Sequence, residues 1–140
     1  MAKNKLKVVG TLLCVLLSSC SPKTKSLSDF SDFSNLRAED ILKIQVDWDI
    51  NENVPVEFDI EDKKDIKFIV DILFDKSTFV FQDREMVDGG HSNIALIDKE
   101  NNESRVHLTD VYDGKNRYTY KDTTLYDYIY NLGVDLGVLN

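Results

Sequence analysis

The stretch from Leu42 to Ile60 alternates apolar and polar residues with a period of two, interrupted by one polar turn. Its apolar positions are Leu42, Ile44, Val46, Trp48 and Ile50, then Val54, Val56, Phe58 and Ile60. Successive side chains of a β-strand point to opposite faces, so each half predicts a half-buried strand. Asn51-Glu52-Asn53 supplies a turn, which makes the pair a β-hairpin. Pro55 cannot donate to a ladder and predicts an edge position for the second strand.

The rest of the chain predicts two amphipathic helices and four further strands. A helix begins after Asp62 and runs to about Asp75, with Ile66, Ile69, Val70 and Leu73 on one face. Strands follow around Phe79–Phe81, Ile94–Leu96, Val106–Leu108 and Tyr118–Tyr120. A last helix, capped by Asp122 or Thr123, presents Leu125, Ile129, Leu132 and Leu136, and it ends at Gly133 or Gly137.

This order, ββαββββα, predicts an α+β fold: a mostly antiparallel sheet of about six strands with two amphipathic helices on one face. The opposite face is predicted to be polar and solvated. Its residues are Lys43, Gln45, Asp47, Glu57, Asp59, Arg105, His107 and Thr109.

The N-terminal residues predict export. Lys3, Lys5 and Lys7 precede an uncharged run, 8–19, which ends in Leu17-Ser18-Ser19-Cys20. The run is well short of the roughly 20 apolar residues that a membrane-spanning helix needs. The pattern resembles a bacterial lipoprotein signal peptide with its lipobox. The alternatives are an ordinary secretory signal or an uncleaved anchor.

The resemblance implies cleavage between Ser19 and Cys20 and attachment of acyl chains such as palmitate to Cys20. It divides the chain into a signal peptide (1–19), a lipidated Cys and Ser-rich tether (20–38) and one α+β domain (39–140). The whole pattern is similar to small lipoproteins of low-GC Gram-positive bacteria whose domains have no assigned function. We therefore expect a lipid-anchored protein on the extracytoplasmic face of the cell membrane.

Cleavage after Ser19 leaves 121 residues with 14 basic and 25 acidic side chains, a formal charge of −11. Such a surface repels nucleic acid and anionic lipid headgroups. We expect no nucleic-acid partner, and we expect the charge to hold the domain away from the bilayer. Cys20 is then the last cysteine, so there is no disulfide framework. Within the tether, Phe30 and Phe33 lie in a Ser-Asp-Phe repeat and either fold back onto the domain or dock a partner, and folding back is favoured.

Few side chains point to catalysis or metal binding. Asp47, Asp49 and Asn51 share the spacing of an EF-hand start, but Glu52 and Phe58 occupy the positions of its glycine and bidentate acid. They are weak metal candidates at most. His91 and His107 are the two histidines, too few for a catalytic zinc site. With no nucleophile motif and no phosphate-binding loop, we expect neither an enzyme nor a cofactor.

All six tyrosines lie within the last 30 residues. Tyrosine is enriched in protein interfaces. Tyr118, Tyr120, Tyr126 and Tyr130 are the candidate protein-binding residues, unless their rings pack against the sheet edge. The loop 84–91 is a second candidate. The sequence thus predicts a non-enzymatic binding or accessory module for another envelope protein, similar to an immunity or inhibitor protein. The alternative is a small-ligand or cation sensor at the cell surface.

Overall fold

The computed structural model describes residues 23–49, 55–83 and 92–140. In these residues the chain forms eight β-strands and two α-helices, which confirms the predicted α+β class. The strands are β1 Thr24–Lys25, β2 Ile41–Asp49, β3 Pro55–Ile60, β4 Phe79–Gln82, β5 Asn93–Asp98, β6 Glu103–His107, β7 Asp110–Asp113 and β8 Asn116–Tyr120. The helices are α1 Lys63–Leu73 and α2 Thr124–Asp135, and three 3-10 turns cover Leu27–Asp29, Ser31–Phe33 and Ala38–Asp40.

The strands form two antiparallel sheets of four, in the orders β1-β4-β8-β7 and β3-β2-β5-β6. The prediction of one sheet of about six strands is therefore wrong. β1 is two residues long, too short to give a periodic signal, and β7 has a single buried apolar residue, Val111. Alternation also shows which residues share a face, but not which strands pair. The described chain begins in the first sheet with β1, forms β2 and β3 of the second, and returns through α1 to β4 of the first. It then adds β5 and β6 to the second sheet and ends with β7 and β8 in the first.

The register of the second sheet places its large apolar residues on one face. Val46 lies opposite Phe58 on one side and Ile94 on the other, and Ile94 lies opposite Val106. All four are buried. The polar face is as predicted: Glu57, Asp59, Arg105 and His107 are exposed, and Lys43, Gln45, Asp47 and Thr109 are partly exposed.

The described part of the predicted tether packs into the core. Thr24 and Lys25 pair with β4, and Leu27, Phe30 and Phe33 are buried. The ring of Phe30 meets Phe79 and Tyr118 edge-on, each at 5.2 Å between centroids. The interpretation that Phe30 and Phe33 fold back is confirmed. The folded part of the chain thus begins well before the predicted boundary at residue 39, because 24–40 forms a short strand and three 3-10 turns. Ser26 and Asp29 form a capping box at the first of these turns.

Asp62 is the N-cap of helix α1, as predicted, and its carboxylate accepts hydrogen bonds from the amides of Lys64 at 2.8 Å and Asp65 at 3.3 Å. It buries the predicted face of Ile66, Ile69, Val70 and Leu73 and ends two residues earlier than expected. Both helices, both sheets and the 3-10 segment contribute to one hydrophobic core. The helices are therefore not a layer over a single sheet.

Helix α2 ends in a Schellman motif around Gly137, whose φ is +72°. The amide of Val138 donates to the carbonyl of Gly133 at 3.0 Å, and that of Gly137 donates to Val134 at 2.9 Å. The motif turns the chain so that Leu139 is buried, whereas Leu136 is 59% exposed. Leu136 was predicted on the buried face, and that prediction is wrong because the helical period ends before it.

Candidate binding groove

A β-bulge at the start of β2 changes which residues reach the core. The pairing with β5 shifts between Ile41 and Lys43, so Ile41 is 5% exposed and Leu42 is 60% exposed. A bulge inserts one residue into a strand and redirects the side chains around it. The alternating pattern predicted Leu42 as a core residue, and the structure corrects this. The sequence pattern therefore did not reveal that an exposed leucine lies beside the core.

Leu42 forms one wall of a groove between the start of β2 and helix α1, with a volume of about 480 Å³. We call this the Leu42 groove; its lining residues are Ala38, Glu39, Ile41, Leu42, Glu61, Lys63, Ile66, Lys67, Val70 and Asp71. Ile41, Ile66 and Val70 are buried core residues and form its floor. Charged residues form the rim, where Lys67 pairs with Asp71 at 2.6 Å. An apolar floor with a charged rim is the usual composition of a binding site.

A smaller cavity of about 190 Å³, here called the acidic notch, shares Glu61 with the Leu42 groove. Its lining residues are Asp59, Ile60, Glu61, Asp62, Asp65, Leu132, Asp135 and Leu136. Three of the acids have partners of their own: Asp59 pairs with Lys43 at 2.5 Å, Asp62 caps α1, and Asp65 accepts the hydroxyl of Tyr128 at 2.7 Å. Glu61 and Asp135 are exposed. The two concavities therefore lie side by side, one with an apolar floor and the other with an acidic lining.

Two of the four candidate tyrosines, Tyr118 and Tyr120, make contacts within the fold. Tyr118 is buried, between Phe30 and Phe81. Tyr120 is half-buried, and its hydroxyl donates to the carbonyl of His107 at 2.8 Å. Burial raises the pKa of the Tyr120 hydroxyl. Both residues lie on β8 of the first sheet, whereas Tyr126 and Tyr130 lie on helix α2.

The other two tyrosines cover Trp48. The ring of Tyr126 lies 4.5 Å from that of Trp48, and the ring of Tyr130 lies 5.8 Å from it. The Tyr130 hydroxyl donates to the carbonyl of Asn140 at 2.6 Å. Tyr126 is 40% exposed. Of the four candidates, Tyr126 is the one that presents a large ring surface for contact.

The weak metal candidates do not converge in the described residues. Asp47 pairs with Arg105 at 2.6 Å, the backbone amide of Asp49 donates to the hydroxyl of Ser92 at 3.0 Å, and Asn51 lies outside the described residues. Across residues 23–49, 55–83 and 92–140, no three His, Cys, Asp or Glu side chains are grouped to hold a metal ion.

His107 lines a cleft of about 250 Å³ at the junction of the two sheets, with Arg105, Asp110 and Tyr112 among its neighbours. Asp110 is buried and accepts a hydrogen bond from Nε of Arg117 at 3.0 Å. This ion pair ties β7 to β8 and gives the carboxylate a structural role. His91 and the rest of the 84–91 loop lie outside the described residues, as do Ser19 and Cys20.

None of the helices in the described ranges is long and apolar enough to cross a membrane. No family model, no curated protein and no solved structure matches this chain. The residues and their geometry are therefore the basis for a function.

Proposed function

We propose that this protein is a lipid-anchored, non-enzymatic binding module on the extracytoplasmic face of the cell membrane, and that it binds another envelope protein in the Leu42 groove. The single observation that supports this most is the exposed Leu42 beside an apolar floor. Burying a leucine side chain stabilises a complex by about 1.5–3 kcal/mol. The bulge keeps Leu42 out of the core, so a partner can cover it.

Charge indicates the chemistry of the partner. The chain carries 25 acidic and 17 basic residues, and the acidic notch adjoins the groove at Glu61. Complementary potentials speed association and select partners. The proposed partner segment is amphipathic: its apolar side chains enter the groove, and its Lys or Arg side chains lie over Glu61 and Asp135.

Of the tyrosines predicted to contact a partner, the proposal keeps Tyr126. Tyr126, with its exposed ring over Trp48, is a secondary contact in this proposal. Tyr118 is excluded from it because its ring is buried. The cation-sensor alternative is not carried further, since Asp47 is engaged with Arg105.

Site-directed photo-crosslinking tests the proposal. A photo-reactive amino acid is placed at Leu42 in the full chain, and at the matched control position Thr109, a partly exposed residue between β6 and β7. Cells are irradiated, and the crosslinked species are identified by mass spectrometry. One envelope protein captured from Leu42 and absent from Thr109, which then binds the purified chain, is the expected result. The same capture from both positions, or capture from neither, contradicts the groove as the binding site.

A further inference from the structure

The fold begins only three residues after the predicted anchor. The carbonyl of Lys23 accepts a hydrogen bond from the amide of Phe81 at 3.0 Å, and Thr24 and Lys25 pair with Val80 and Phe79. From the Cα of Cys20 to that of Lys23, three residues span at most about 11 Å in any conformation. This limit replaces the long tether that the Ser-rich composition predicted.

A bilayer is about 40–45 Å thick with its headgroups and about 30 Å without them, so each headgroup layer is about 5–8 Å deep. An acylated Cys20 lies at that layer, because its acyl chains occupy the hydrocarbon. Since the link spans little more than the layer itself, the edge strand β1 cannot move far from the lipid. We propose that the domain rests on the bilayer with its β1 edge, here called the β1 pole, against the headgroups. This inference depends on the proposed acylation of Cys20.

The local charge of the β1 pole permits this contact, although the chain as a whole is acidic. The ammonium group of Lys23 lies 5.6 Å from the centre of the Phe81 ring, and Lys25 forms an ion pair with Asp113. Lys76 lies close enough to Asp29 to help lower the pKa of its carboxyl, which the hydrogen bond from the Ser26 amide lowers most. Lysines thus accompany the acids at this pole. The expectation that charge holds the domain off the bilayer is replaced by a balanced pole and an acidic remainder.

The proposed orientation also places the binding site. Thr78 precedes β4, and its hydroxyl donates to the carbonyl of Ile72 in the last turn of α1. Phe79, the next residue, pairs with Lys25. The acidic notch lies at the other end of α1, about 16 Å along an 11-residue helix. The notch is therefore far from the β1 pole, on a part of the surface that another envelope protein can reach.

Amine footprinting on vesicles tests this orientation. The chain is expressed at full length, and its processed, acylated form is purified from membranes. This form is reconstituted in vesicles of phosphatidylglycerol and phosphatidylcholine. Acetylation rates of individual lysines are then measured by mass spectrometry. The matched control carries a Gly/Ser linker of about 12 residues between Pro22 and Lys23, which adds a root-mean-square length of about 19 Å. Lys64, exposed at the start of α1, is the internal reference.

Lys23 and Lys76 are expected to react several-fold more slowly in the native chain than in the linker variant, while Lys64 reacts equally in both. Equal rates at Lys23 and Lys76 in the two proteins, with acyl chains present on Cys20, overturn the orientation alone. An intact mass that shows no acyl chain on Cys20 overturns the anchored function and the orientation together.

Discussion

At the scale of single residues, Leu42 and Ile41 show how a neighbouring pair divides between core and surface. The bulge buries Ile41 and exposes Leu42. Sequence reasoning predicted the strand from its alternation, but one inserted residue leaves the alternation of the following positions intact. The pattern therefore could not show that Leu42, at its start, is exposed.

Truncation of these two side chains is expected to change the free energy of unfolding by very different amounts. Ile41→Ala is expected to cost about 2–4 kcal/mol of unfolding free energy, because it removes buried methylene groups and leaves a cavity. Leu42→Ala is expected to change that free energy by at most about 0.5 kcal/mol. Urea unfolding followed by circular dichroism measures both. A larger loss of unfolding free energy for Leu42→Ala than for Ile41→Ala would show that Leu42, and not Ile41, is the buried residue.

Tyr128 predicts a change of stability at high pH. The hydrogen bond that its hydroxyl donates to Asp65, together with burial, raises its pKa to about 12. The pKa in the unfolded chain is about 10. The stabilisation from this protonated hydroxyl is complete below pH 10 and is lost as the pH rises toward 12.

The matched variant is Tyr128→Phe, which keeps the ring against Phe68 at 4.1 Å but has no hydroxyl to titrate. Between pH 10 and 12, the native chain is expected to lose more unfolding free energy than the variant. Urea unfolding at a series of pH values measures the difference. Parallel curves for the two proteins contradict a raised pKa at Tyr128.

At the scale of elements, the two helices and six of the strands follow from the sequence, whereas β1 and β7 do not. Helix α1 was predictable because Asp62 caps it and its four apolar residues share one face. β1 is two residues long and derives its position from the burial of Leu27, Phe30 and Phe33. Such long-range packing leaves no local pattern, so a Ser-rich composition predicted a tether instead.

Truncating Phe30 distinguishes a folded segment from a tether. Its side chain is 1% exposed, so Phe30→Ala is expected to cost about 3–5 kcal/mol of unfolding free energy. The control is Phe68→Ala, at a half-exposed phenylalanine on α1, for which about 1.5 kcal/mol or less is expected. Thermal unfolding of both variants provides the comparison. An unchanged midpoint for Phe30→Ala contradicts the packing of the N-terminal segment.

Gly133 lies inside α2, where alanine ordinarily stabilises a helix by about 1 kcal/mol. Here a Cβ would lie 2.5 Å from Cδ1 of Leu139 and 3.2 Å from the ring of Phe58. Gly133→Ala is therefore expected to destabilise the fold by about 1–3 kcal/mol through overpacking.

The double variant Gly133→Ala, Leu139→Ala tests whether a clash with the Leu139 side chain causes that destabilisation. Removing the Leu139 side chain makes room, so the glycine substitution is expected to cost less in this background than in the native chain. Unfolding free energies of the four proteins complete the cycle. Strict additivity would refute a clash with Leu139 as the cause.

At the scale of the whole molecule, the sequence carries a local signal for the proposed location and none for the proposed binding groove. The lipobox predicts anchoring from four adjacent residues, 17–20, whereas the groove is assembled from β2, α1 and the 3-10 turn before β2. Helix α1 connects β3 of the second sheet to β4 of the first. This connection places α1 beside the start of β2, where the groove forms. The tyrosine cluster was a compositional signal, and the structure uses most of its described members in packing and hydrogen bonds.

If a partner protein binds in the Leu42 groove, its affinity depends on the Leu42 side chain. Calorimetry with the partner that crosslinks at Leu42 measures Kd for the native chain, for Leu42→Ala and for the control Thr109→Ala. We expect binding to be about 10–100-fold weaker for Leu42→Ala, since a central apolar contact contributes about 1.4–2.8 kcal/mol, and unchanged for the control. An unchanged Kd for Leu42→Ala, in a variant that keeps native stability, would show that the partner does not bind in this groove.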